Sequence, residues 1–259
     1  MNTRVWLSIA IAGFSAGILF AADVPSLTVK SERAPSSAQL GWSQESSLGM
    51  TLNGGNSESQ SFLAKQSTSY AWTENTVGTS GHYMYGRAND TDVARNWDLG
   101  VNYSHFFSEN FAGLLGNSWS GDTFAGVDHR INLDAGGKYY FFGRDTKNDY
   151  LLNETGYRYQ YEVRIPGQPL RYLNNHFARV YFDGKKSISE TVFFRAWVEL
   201  LPNLNRTQHY MINFEPSLGV MLTKVLSIKL AFTGMYDGLP AVGKKNFDYI
   251  YTTSLVANY

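Results

Sequence analysis

Charged residues recur at even spacing through the middle of the chain: Arg130, Asp134 and Lys138, then Glu154, Arg158 and Glu162, then Arg195 and Glu199. The residues around them alternate apolar and polar, so each set lies on one face of a strand. Asp98, Arg179, Glu215, Lys229 and Asp248 fall on the polar face of their own segments in the same way. Seven of these thirteen are acidic and six are basic. Facing one another away from bulk solvent, they must pair or meet trapped water. They therefore offer one of two chemistries: a zipped ion-pair network that stiffens an interior, or an aqueous path whose fixed charges sort small solutes.

Other chemistries find less support. The chain has no Cys, which excludes a disulfide framework, a thiol nucleophile and a thiolate metal site. Its 22 Lys plus Arg balance 22 Asp plus Glu, so no basic surface argues for nucleic acid. None of His82, His105, His129, His176 and His209 is followed two residues later by Ser, the spacing expected of a lipid-hydrolysing barrel. Ser80 and His82 share a face, but it is the polar, inward one. His129 falls near the rim and faces outward. Solvated or satisfied histidines are the expectation, with no catalytic residues and no enzyme. Asp90, Asp92, Asp122 and Asp128 fall in connections, and their spacing matches no calcium-loop motif. Gly54-Gly55 reads as a tight hairpin turn, since no helix follows it to hold a phosphate. Neither a metal nor a cofactor is expected.

The elements that must carry these charges read in twos. Trp97, Leu99, Val101 and Tyr103 alternate with Asp98, Gly100 and Asn102, and the stretches from Arg130, Tyr157, Tyr210 and Ile228 repeat the pattern. About twelve such segments start near Gly41, Ser61, Thr76, Ala94, Phe111, His129, Asp149, Asn174, Glu190, Tyr210, Leu226 and Asn246. No stretch after Pro35 sustains a helical period. A secreted soluble β-protein would alternate too, but three features favour a transmembrane barrel. The polar face is thick with Gly, Asn, Ser and opposed charges. The chain is 15% aromatic at a mean hydropathy of −0.28, with rings at segment ends such as Tyr70 with Trp72 and Tyr249 with Tyr251, as in an interfacial girdle. Short turns (Thr73 to Asn75, Ser108 to Asn110, Arg144 to Asn148, Gly184 to Ser189, Thr223 to Val225) alternate with mostly longer loops (Ala88 to Val93, Gly121 to Asp128, Arg164 to Leu173, Pro202 to His209, Gly238 to Lys245).

The chain ends add to this. Met1 to Arg4 carries positive charge, Val5 to Phe20 is an apolar run too short to span as a helix, and Ala21-Ala22 offers small residues for cleavage. The alternative is an uncleaved anchoring helix. The expected organisation is a signal peptide over 1–22, a flexible periplasmic segment over 23–39 and an outer-membrane β-barrel over 40–259. Tyr259 closes an alternating segment with Phe247, Tyr249, Tyr251, Thr253, Leu255 and Ala257 on one face, as expected of a final aromatic that serves as assembly signal.

Met50 to Gln60 (MTLNGGNSESQ), Phe124 to Tyr139 (FAGVDHRINLDAGGKY) and Leu151 to Tyr159 (LLNETGYRY) carry a resemblance. They are similar to the first hairpin and two later strands of the YdiY-like salt-induced outer-membrane protein family, domain of unknown function 481. The likeness runs from about Leu48 to the C-terminus and departs at Ala125, where the family often has a basic residue. It implies an outer-membrane barrel and brings no established activity. The expectation is an all-β, antiparallel up-and-down barrel in the outer membrane of a Gram-negative bacterium. Its partners would be outer-membrane lipid, lipopolysaccharide and the assembly machinery. It acts either as a narrow channel for a small hydrophilic solute or as a structural or stress-related barrel closed by its own ion pairs. Gly100, Gly116, Gly136, Gly156 and Gly219, all on the inward face, point to free space and so to the channel.

Overall fold

The structure is a computed structural model that describes residues 40–53, 59–143 and 149–258. The signal and periplasmic segments, the Gly54-Gly55 turn, the Arg144 to Asn148 turn and Tyr259 lie outside these residues. Twelve strands follow one another: β1 (Gly41–Asn53), β2 (Ser59–Trp72), β3 (Asn75–Ala88), β4 (Thr91–Phe106), β5 (Phe111–Asp122), β6 (Val127–Phe142), β7 (Tyr150–Arg164), β8 (Tyr172–Ser187), β9 (Val192–Pro202), β10 (Tyr210–Met221), β11 (Leu226–Asp237) and β12 (Phe247–Asn258). Each pairs antiparallel with its neighbours in sequence, and β1 pairs with β12 to close the barrel. Every strand begins within three residues of the start expected from alternation. Among the described residues β1 and β12 pair from Glu45 opposite Asn258 to Gly49 opposite Ser254, and closing the ring pairs the two outer strands that an open sheet would leave as edges.

Alternation fixes the two faces. Leu99, Val101, Leu115, Ile131, Leu133, Leu230 and Leu255 project outward and are exposed, while Asn96, Asp98, Asn132, Arg158, Glu199 and Glu215 project inward and are buried. A one-residue slip would exchange the sets, so the register is strongly specified. Outward rings gather near the rims, with Trp42 against Tyr70 at 4.8 Å, Tyr70 against Trp72 at 5.8 Å and Tyr210 against Tyr236 at 5.0 Å.

The expected alternation of loop lengths fails along β3 to β6, where the β5–β6 connection, 123–126, is no longer than the short turns 107–110, 188–191 and 222–225. The connection between β3 and β4 is only Asn89-Asp90 rather than a long Ala88 to Val93 loop. Both residues take positive φ, 46° and 63°, which suits the mirror-image turn that matches strand twist. Asn and Asp tolerate that region, and a register shift at Gly86/Arg87 lies just ahead of the turn.

The long-loop rim therefore carries its bulk beside β7 to β12. There the β11–β12 loop folds over the barrel mouth. Arg164 donates to the carbonyls of Leu239 (2.6 Å) and Pro240 (3.3 Å), Gln168 accepts from the Val242 amide at 2.7 Å, and Ala241 is buried.

The glycine expectation is corrected at three positions. Gly136 and Gly156 face each other on β6 and β7, and a Cβ on either would fall 2.4 or 2.3 Å from a backbone oxygen of the opposite strand. They permit close strand approach rather than leaving a void. Beside Gly219 the Phe193 ring takes the room, 2.1 Å from where a Cβ would stand. A Cβ at Gly116, by contrast, would meet only ordinary contact.

Candidate functional site

The inward charges assemble because the rungs of the sheet put opposite signs side by side. Asp134 pairs in register with Arg158, Lys138 with Glu154 and Arg130 with Glu162. Arg158 grips Asp134 through Nε (2.7 Å) and Nη2 (2.8 Å), and its fork also reaches Glu199 at 3.2 and 3.4 Å. Arg179 donates to Glu199 at 2.6 Å and to Glu154 at 2.8 Å, and Lys138 completes the chain 3.2 Å from Glu154. Planar guanidinium forks suit such shared, bidentate pairing better than ammonium groups do. Glu199 accepts a further bond from Asn213 at 3.1 Å. This central girdle, three acids and three bases on β6 to β9, closes its own charge.

Smaller groups sit around it. Toward the long-loop rim Glu162 is shared by Arg130 (2.6 Å) and Arg164 (2.8 Å). Asp183 takes both Arg195 nitrogens (3.0 and 2.5 Å) and the hydroxyls of Tyr150 and Tyr181. On the other side Glu215 accepts from Lys229 at 2.6 Å and Thr233 at 3.0 Å, with Lys65 at 3.7 Å. Asp98 contacts His82, whose second ring nitrogen faces the Asn96 carbonyl oxygen at 2.8 Å. Asp248 is half-buried and lines a cavity of about 50 Å³ under the β11–β12 loop, with Arg130, Glu162, Arg164, Asp237 and Lys244.

Lys65, Arg164 and Asp183 were not among the charges expected inward. Asp183 lies at even spacing from Arg179 and was findable on that signal. Lys65 lies on a strand too rich in Ser to alternate clearly, and Arg164 opens the stretch to Leu173 that reads as loop in the sequence. A ladder of amides was also missed: Asn203 donates to Asn175 (3.1 Å), Asn175 to Gln160 (3.3 Å), Gln160 to Asn132 (3.1 Å) and Asn132 to the Ser118 hydroxyl (2.9 Å).

The interior is lopsided. Around β6 to β10 the charges lie flat against the wall in their own pairs, above an apolar cluster at the short-turn rim made by Phe106, Tyr140, Tyr150, Leu152, Tyr181 and Trp197. The facing wall of β2 to β5 presents Ser67, Ser69, Asn102 and Gly116, which stay half-buried although they point inward, between the buried His82, Asp98, Ser104 and Ser118. Side-chain exposure is 13% at Asp134, 14% at Lys229 and 18% at both Lys65 and Arg195, against 0% at Glu199.

The remaining polar candidates are dispersed. His105 meets Asn75, His129 meets Asp128, His176 meets Tyr157 and His209 meets Asp237. Asp90 pairs with Arg87 and Asp92 with Arg95, and Asp122 accepts from the amides of Phe124 and Ala125.

A closed twelve-stranded antiparallel barrel with rings outward and charges inward is a β-barrel of the outer-membrane type. The chain belongs to the family described as protein of unknown function, DUF481, whose profile matches residues 46–259. Among solved structures it is similar to a NanC porin, with a TM-score of 0.52 and 10% identity over 83% of this chain and 98% of that one. It is also similar to the translocator domain of autotransporter NalP from Neisseria meningitidis (TM-score 0.46, 12% identity, 85% and 88% covered) and to a KdgM porin (TM-score 0.45, 10% identity, 84% and 99% covered). At such identities the likeness concerns the fold. No curated protein matches the sequence.

Proposed function

We propose that the protein resides in the outer membrane of a Gram-negative bacterium, inserted by the outer-membrane assembly machinery among lipid and lipopolysaccharide, and provides a narrow passage for small hydrophilic solutes. The lopsided lumen carries this reading. Ion pairs hold the long charged side chains against β6 to β10, and the opposite wall bears small polar residues with inward exposure. Water can therefore follow the seryl wall without separating any pair. Signs alternate along the charged side, so selectivity between small cations and anions should be weak.

Planar-bilayer conductance tests it. Lys65→Gln and Asp134→Asn border the exposed side, and they should shift cation preference up and down respectively while the openings persist. An end-to-end silent wild type would refute the passage. A second reading, a structural barrel without transport, draws on the burial of the central girdle and the apolar cluster under it. In that case shortening the β11–β12 loop would leave the silence unchanged.

A further inference from the structure

Charge is distributed unevenly around the long-loop rim. The connections 165–171, 203–209 and 238–246 carry Arg171, Arg206, Lys244 and Lys245 and contain no Asp or Glu. The acids nearest to them are committed to the interior. Glu162 is buried between Arg130 and Arg164, Asp237 contacts the buried His209 at 3.2 Å, and Asp248 lines the mouth cavity. Arg171 and Lys245 are exposed and Arg206 is half-buried, and among the described residues none of the three has a carboxylate within ion-pair distance. The opposite arc differs: there Arg87 lies 3.4 Å from Asp90 and Arg95 2.5 Å from Asp92, and Asp128 is exposed.

The chain sets these unpaired cations just beyond outward rings. Tyr172, Tyr210 and Phe247 open β8, β10 and β12, face outward and are exposed. Arg171 precedes the first of them, and its guanidinium lies 5.4 Å from the centre of the Tyr172 ring, against the outer wall. The Asn203 side chain accepts from the amides of Asn205 and Arg206 at 3.0 Å each, closing a turn that carries Arg206 and leaves Leu204 exposed. Lys245 stands two residues ahead of Phe247. Gln168 accepts from the Val242 amide at 2.7 Å, so the loops bearing Arg171 and Lys245 are tied together.

Charge complementarity selects the partner. Exposed rings with unneutralised cations beyond them match a molecule with an apolar body and an anionic head, and longer loops belong to the outer leaflet. A zwitterionic lipid fits poorly, because this arc offers its ammonium group no exposed carboxylate. With strands about 4.8 Å apart, the arc from β8 to β12 is roughly 19 Å wide, about twice the distance over which salt screens a charge. One phosphate cannot neutralise it; a head group with phosphates set apart can.

We propose that the arc of Arg171, Arg206 and Lys245, with the rings of Tyr172, Tyr210 and Phe247 beneath it, is a docking surface for the phosphates of an acylated, bisphosphorylated glycolipid of the outer leaflet. The inference rests on the membrane placement proposed above but not on end-to-end conductance.

Heat-modifiable insertion of the full barrel into phosphatidylcholine vesicles is measured first, and failure there refutes the membrane placement itself. Lipid bound to the folded barrel is then counted by native mass spectrometry from maltoside micelles, in EDTA so that divalent cations cannot bridge acids to phosphate. The probes are lipid A with both phosphates, the same lipid dephosphorylated, and the deacylated bisphosphorylated disaccharide. Only the first should bind tightly. A cation beside an anionic membrane surface is worth about fivefold in affinity, so Arg171→Gln, Arg206→Gln and Lys245→Gln combined should weaken binding roughly a hundredfold. Arg87→Gln with Arg95→Gln, on the opposite arc, should leave it unchanged. Should the combined variant fail to fold, Arg171→Gln and Lys245→Gln singly should each cost about fivefold. Binding indifferent to the three cations, an equal loss in the Arg87 and Arg95 control, or equal affinity for the dephosphorylated lipid would overturn the proposal. Equal affinity for the deacylated disaccharide would overturn it too, by making the arc a site for a soluble anion.

Discussion

Neutralising Glu199 probes the central girdle most directly. The carboxylate is fully buried and accepts from Arg158, Arg179 and Asn213, the shortest contact being 2.6 Å to Arg179. In Glu199→Gln the shape is kept, but one acceptor oxygen becomes an NH2 donor facing groups that are themselves donors. Removing one partner of a buried ion pair costs about 3–5 kcal/mol. Each arginine here keeps a second carboxylate, Asp134 for Arg158 and Glu154 for Arg179, which places the expected cost near the lower end, about 3 kcal/mol. With a denaturant slope of about 2 kcal/mol per molar, the urea midpoint of the vesicle-inserted barrel should fall by roughly 1.5 M. Glu190→Gln, on an exposed turn, should stay within about 0.5 kcal/mol of wild type. If the two variants unfold at the same midpoint, the girdle contributes no net stability and the charges are solvated.

Further expectations concern other parts of the molecule. Gly156→Ala would drive a Cβ to 2.3 Å from the Ala135 carbonyl oxygen and should abolish the heat-modifiable folded band, while Gly116→Ala, which meets ordinary contact, should retain it. Hydrogen exchange at Leu239 to Lys244 should accelerate in Arg164→Met, because the guanidinium that binds the Leu239 and Pro240 carbonyls is gone; unchanged exchange would show that the loop holds itself. At the short-turn rim the Lys186 ammonium and the Ser187 amide hold the Asp149 carboxyl down to about 2. Its pKa is lowered on folding, so its stabilising contribution is complete above the ordinary carboxylate range and is lost as pH falls toward 2. Carboxyl NMR titration should find the value rising toward normal in Lys186→Ala.

The strands themselves could be read from the chain, because period two is a local property: Trp97 to Tyr103 can put its rings on one face and Asp98 on the other only in an extended conformation. The same periodicity placed Asp98, Arg130, Asp134, Lys138, Glu154, Arg158, Glu162, Arg179, Arg195, Glu199, Glu215, Lys229 and Asp248 on the inner face, and the structure shows them inward. Partners were another matter. Arg158 on β7 joining Asp134 on β6 to Glu199 on β9 depends on stagger around the closed barrel, which no single strand encodes. The roles of the glycines were hidden for the same reason. Alone in sequence, Gly136, Gly156 and Gly219 suggest space; only the pairing of strands shows that a backbone or the Phe193 ring has already taken it. The closing pair is the furthest from the sequence, since β1 and β12 lie far apart along the chain and their shared register is set by closure of the whole ring of strands.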